Sequence, residues 1–139
     1  MTDDEQIGAI LQRIEDTFSR LDLSGWLECF HPLAIAVIPP FEPVSLQDTE
    51  ACQALLEPYA ARLQAAGFNR TQMGGCAIRY LTETTALVTV RWTRYGGDNV
   101  LESIGGTYLF LKTAEGWRIT MLTSHPPESG LLHCQLASG

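Results

Sequence analysis

His125 is the residue whose type and spacing best suit chemistry. Strand alternation puts Trp117, Ile119, Met121, Thr123 and His125 on one face. An imidazole at the end of an apolar strand face could act as a general base near neutral pH, or simply be a hydrogen-bonded strand end. Glu42, in Pro-Phe-Glu-Pro, could reach back as a carboxylate base, and its loop setting equally suits a solvated side chain. Tyr59 and Trp26 could offer a hydroxyl and an indole N–H, each needing a polar partner if buried. Trp92 shares one alternation phase with Ala86, Val88 and Val90, against Leu87, Thr89, Arg91, Thr93 and Tyr95 in the other. Arg91 and Arg79 are expected on that second face, paired with acids across a dimer or solvated. The four cysteines, Cys29, Cys52, Cys76 and Cys134, form no CxxC pair and read as free thiols packed as small apolar groups. No Cys, His and acid spacing resembles a metal site, so neither a metal nor an organic cofactor is expected.

The 139-residue chain that must position these groups is the size of one domain. Hydrophobic residues make up 45% and charged residues 18%, too apolar for disorder. A net charge of −7 is a poor match for nucleic acid or an anionic membrane. No stretch approaches the ~20 continuous apolar residues of a membrane span. The acidic start, Met1-Thr2-Asp3-Asp4-Glu5, is the reverse of a signal peptide, so a cytoplasmic protein is expected.

Residues 4–21 read as an amphipathic helix, with Ile7, Ile10, Leu11, Ile14, Phe18 and Leu21 at steps of three and four. Asp22 or Ser24 can cap a short second helix carrying Trp26, Leu27 and Phe30, stopped by His31-Pro32. Leu33–Ile38 is a continuous apolar run and reads as a buried strand. A third helix over 49–66 presents Cys52, Leu55, Leu56, Tyr59 and Leu63, with a kink or break expected at Pro58 and a stop at Gly67.

From Phe68 the period changes to two. Strands are expected at 68–81, 84–95, 99–113 and 116–125, joined by short turns and hence antiparallel. Gly74-Gly75 and Gly105-Gly106 lie inside strand patterns and are expected to mark bulges or bends that curve the sheet into a concave pocket. In the fourth strand Tyr108 and Phe110 share one face and Leu109 and Leu111 the other. Apolar residues on both faces leave an outer patch that suits a homodimer. The domain is expected to span residues 1–126, with 127–139 a tail in which Leu131, Leu132, Cys134 and Leu136 form a short strand or fray.

Helix, short helix with Trp26-Leu-Glu-Cys-Phe30, strand, Pro-rich loop, helix, and a meander ending in Gly116-Trp-Arg-Ile-Thr120 make an order that resembles the nuclear transport factor 2-like superfamily over residues 5–125. That superfamily includes ketosteroid isomerases, scytalone dehydratase, limonene epoxide hydrolase and SnoaL-type polyketide cyclases. The resemblance implies an α+β cone: a strongly curved antiparallel sheet wrapped around the N-terminal helices, enclosing a cavity and often dimerising. Trp26, Phe30, Tyr59, Leu63, Trp92 and Met121 are the expected ligand-binding wall, with His125 the catalytic candidate. The implied partner is a small apolar or ring-containing ligand.

Ketosteroid isomerases end the first strand with a catalytic aspartate, where this chain has Ile38-Pro39-Pro40-Phe41. That chemistry also needs a tyrosine and a protonated aspartate donating to the enolate. The first helix has no tyrosine, and the last two strand patterns show no aspartate. The expectation is therefore an SnoaL-like small-molecule-binding domain, with isomerase, cyclase or dehydratase chemistry open. The rival is a non-catalytic ligand-binding or dimerisation module. A hydrolase using a carboxylate–arginine network would need an Asp and an Arg both facing inward, and no such pair is evident.

Overall fold

A computed structural model describes residues 1–127 of the chain. The expected tail strand around Leu131–Leu136 lies outside these residues. Helix α1 (Asp3–Ser19) starts on a capping box: the Thr2 hydroxyl accepts from the Glu5 N–H and the Glu5 carboxylate from the Thr2 N–H. Ile7, Leu11, Ile14 and Phe18 form its buried stripe. Asp22 caps α2 (Leu23–Leu27) by accepting from the Gly25 N–H at 3.0 Å. Helix α3 (Thr49–Ala65), capped by Asp48, runs unbroken through Pro58, which removes the break from the two expected outcomes, kink or break. Its chain stops at Gly67, whose φ of +89° suits glycine.

The strands are β1 (Phe30–Val37), β2 (Val44–Ser45), β3 (Arg70–Tyr80), β4 (Thr85–Gly96), β5 (Asn99–Thr113) and β6 (Gly116–His125). They form one six-stranded sheet in the order β2-β1-β6-β5-β4-β3. The meander β3–β6 is antiparallel as expected, but β1 pairs parallel to β6, so the sheet is mixed. The curled, unclosed sheet and its helices make the expected α+β cone.

Strand β1 corrects the expectation of a doubly buried run. Its small residues, Ala34 and Ala36, are buried, whereas Leu33 and Ile35 are 69% and 45% exposed. Alternation, not hydrophobicity, decides which side chains of this strand enter the core.

Three bulges set the faces. Gly74-Gly75 interrupts the β3–β4 register between Met73 and Cys76, as expected. Leu101 is the extra residue where β5 leaves Arg94 and rejoins at Tyr95. Thr120 is the extra residue of β6: Phe110 pairs Ile119, and Leu109 already pairs Met121. The Thr120 hydroxyl donates to the Leu109 carbonyl at 3.0 Å, satisfying an acceptor beside the irregularity.

Gly105 and Gly106, by contrast, keep an uninterrupted register with β4. They provide room instead of a bulge. A Cβ on Gly105 would stand 2.3 Å from the His125 ring, and one on Gly106 would stand 2.9 Å from the Tyr108 hydroxyl.

Candidate functional site

The helices and the concave sheet face enclose a cavity of about 300 Å3, at the small end of the range for small-molecule sites. Ile14 and Phe18 of α1, Trp26 of α2, and Leu55, Leu56 and Tyr59 of α3 line one side. The sheet contributes Trp92, Arg94, Glu102, Ile104, Gly106, Tyr108, Leu122 and Ser124. Phe41, 60% exposed, and Arg62, with 62% of its side chain exposed, mark where the cavity meets solvent.

Tyr108 carries the deep polar feature. Its hydroxyl accepts from the Trp92 indole N–H at 2.8 Å, over the space left by Gly106. The side chain is 4% exposed, and burial pushes its pKa up to about 12, opposed by the Trp92 hydrogen bond and the Arg94 charge. Among the described residues nothing accepts the Tyr108 proton, so this phenol is a neutral donor lining the cavity.

The second polar group lies two inward steps along the sheet from Gly106, where Arg94 pairs Glu102. The Arg94 Nε donates to the Tyr59 hydroxyl at 3.2 Å, and Nη1 donates to Thr71 Oγ1 at 2.6 Å. Its guanidinium lies 4.0 Å from the Phe18 ring centroid, within cation–π range. Tyr59 in turn donates to Glu102 Oε1 at 2.5 Å, and Glu102 Oε2 is 3.7 Å from Arg62 Nη2. Burial, more than any neighbour, raises the Tyr59 pKa, so the hydroxyl stays protonated as the link between guanidinium and carboxylate.

Of the expected wall residues, Trp26, Tyr59 and Trp92 line the cavity. Phe30 and Leu63 do not: both are buried core, with Phe30 packed 4.6 Å from the Trp26 ring. Met121 and His125 lie on the opposite face. The Thr120 bulge changes the alternation phase of β6, so Trp117 and Ile119 point inward before it and Leu122 and Ser124 after it. His125 Nδ1 therefore donates to the Pro126 carbonyl at 2.8 Å, while Nε2 is 2.6 Å from the Thr107 hydroxyl. That hydroxyl is 3.1 Å from Thr89 Oγ1, on the outer face. Glu42 is exposed in its loop and does not line the cavity.

Arg94, Glu102 and Tyr108 are the functional groups the sequence reading passed over. Each was within reach of alternation. Arg94 is the next step in the Ala86-Val88-Val90-Trp92 phase, and Glu102 the next beyond Ile104 in the phase of Tyr108 and Phe110. An arginine and a carboxylate do both line the cavity, the acid a glutamate in place of an aspartate, and the Tyr59 hydroxyl stands between them.

Three solved structures show the same architecture. An NTF2-like protein of unknown function from Shewanella oneidensis is 20% identical, with a TM-score of 0.68, over 88% of this chain and 98% of its own. An NTF2-like protein with a cystatin-like fold from Novosphingobium aromaticivorans is 17% identical, with a TM-score of 0.75, over 95% and 90%. A domain of unknown function with a cystatin-like fold from Nostoc punctiforme is 19% identical, with a TM-score of 0.68, over 88% and 76%. At these identities the likeness establishes fold alone. Comparison with functionally curated proteins finds no match. A family model described as NTF2-like protein (DUF6841) matches residues 4–127, and the chain belongs to that family.

Proposed function

We propose that the chain binds a small, largely apolar molecule carrying an oxygen acceptor, held in the cone cavity as in an SnoaL-like domain. The observation that carries this reading is the Tyr108 hydroxyl. It is a buried donor, oriented by Trp92, with an unclaimed proton among apolar walls, away from the Arg94, Tyr59 and Glu102 group. A ligand ketone or hydroxyl oxygen would accept that proton, while ring surface would pack on Phe18, Trp26 and Leu122. If the bound molecule reacts, Glu102 is, among the described residues, the one cavity-lining carboxylate able to take its proton. An isomerase, cyclase or dehydratase step would run through it, not through His125.

A thermal-shift titration with 2-tetralone and 1-indanone tests the binding. Saturation at 100 times the dissociation constant stabilises by about 2.7 kcal/mol, a rise of roughly 2–8 °C for a domain of this size. The expected result is a shift that is lost or at least halved in Tyr108→Phe. No shift with any ring ketone removes the reading.

A second copy of the chain is the partner favoured by the outer face. Ile35 pairs Met121, Met121 pairs Leu109, and Leu109 pairs Leu87, making one apolar row across four strands. Leu33, 69% exposed, extends it. The described cysteines are free thiols, which suits the cytoplasmic setting. Among the described residues no helix is long and apolar enough to cross a membrane.

A further inference from the structure

Arg94 is 6% exposed, yet no carboxylate lies within ion-pairing distance of it among the described residues. Buried charges are ordinarily paired, because leaving water costs far more than neutral hydrogen bonds return. Its partners, Tyr59 and Thr71, are neutral hydroxyls, and Phe18 supplies a ring face. Glu102, the nearest acid in the network, is reached only through Tyr59 and already faces Arg62. A guanidinium has five N–H donors, and those of Arg94 Nη2 have no partner among the described residues. No buried side-chain nitrogen there lacks a hydrogen bond, so Nη2 must be open to a surface. For a residue this buried that lines the cavity, the surface is the cavity wall.

We propose that Arg94 is a carboxylate-binding residue, and that the cavity's ligand class is an apolar ring-bearing acid. Its carboxylate would take the Nη2 donors, and its body would extend toward Tyr108. Two inward strand steps separate the Arg94–Glu102 pair from Gly106, over which the Tyr108 hydroxyl sits. At about 3.3 Å per residue that is on the order of 13 Å between strand positions. A second oxygen at the far end of the acid would then meet the Tyr108 hydroxyl. This deepens the small-molecule reading and rests on it.

The test compares 2-naphthoic acid, 2-naphthamide and 2-acetylnaphthalene by titration calorimetry on the full chain. The acid is expected to bind wild type at least tenfold more tightly than the isosteric amide, with that preference falling to within about twofold in Arg94→Gln. Arg20→Gln, altered at an exposed side chain outside the cavity, should keep the preference, because Arg20 faces Asp22. Equal binding of acid and amide to wild type overturns the proposal without any variant having to fold. So does a preference that survives in Arg94→Gln, or one lost in Arg20→Gln. The neutral ketone separates the two readings. Ketone bound without acid preference removes the role of Arg94 and leaves the cavity reading standing, whereas failure of all three compounds removes both.

Discussion

At the scale of the residue, the site depends on Tyr108 and Tyr59, whose hydroxyls burial keeps protonated. Tyr108 ionises at about 12 in the fold against an ordinary 10.0, so folding favours its protonated form. Its stabilising contribution is therefore complete below pH 10 and is lost as pH rises through 12. Two units correspond to about 3 kcal/mol. Thermal midpoints measured between pH 9 and 12 should fall more steeply for wild type than for Tyr108→Phe. Parallel profiles would show that the phenol is not buried as described. Arg94, Glu102 and Tyr108 were all readable as inward positions by counting in twos. What alternation could not supply is that Tyr59, from a helix, bridges the two charged groups.

At the scale of the element, one extra residue decides which chemistry faces the cavity. Removing Thr120 would make the β5–β6 register continuous, because Met121 would follow Ile119 directly. Met121, Thr123 and His125 would keep the outer face, and Leu122 and Ser124 the inner one. Losing one unpaired residue should therefore cost only a small part of a typical stability of about 5–15 kcal/mol. Thr120→Ala keeps the residue count and loses only the hydroxyl bond to Leu109, worth about 1 kcal/mol. Urea denaturation should show a cooperative transition for both variants, with a small midpoint shift for the alanine. A deletion variant that fails to fold would contradict the bulge assignment. The same scale explains α3. Pro58 leaves the helix unbroken, because the packing of Cys52 and Leu63 on either side outweighs a local backbone penalty.

At the scale of the whole molecule, the mixed sheet leaves an apolar row on the face away from the helices. Light scattering at tens of micromolar should give a dimer, and Leu109→Glu should give a folded monomer, since a charge in the row is tolerated in water but not in an apolar interface. A wild-type monomer would remove the second copy as partner.

The order of the three helices and the long strands, the meander and its turns, the cone class and the glycine bulge at Gly74-Gly75 were legible along the chain, whereas the short β2 and the place of Phe30 in β1 were not. Hydrophobic period and turn residues are local properties, readable along the chain. Only the tertiary structure decided that β1 runs parallel to β6, that Ala34 and Ala36 face the core in place of Leu33 and Ile35, and that His125 lies outside. Each of these depends on which strand pairs with which and in what register, and a single unpaired residue, Thr120, is enough to reverse a face.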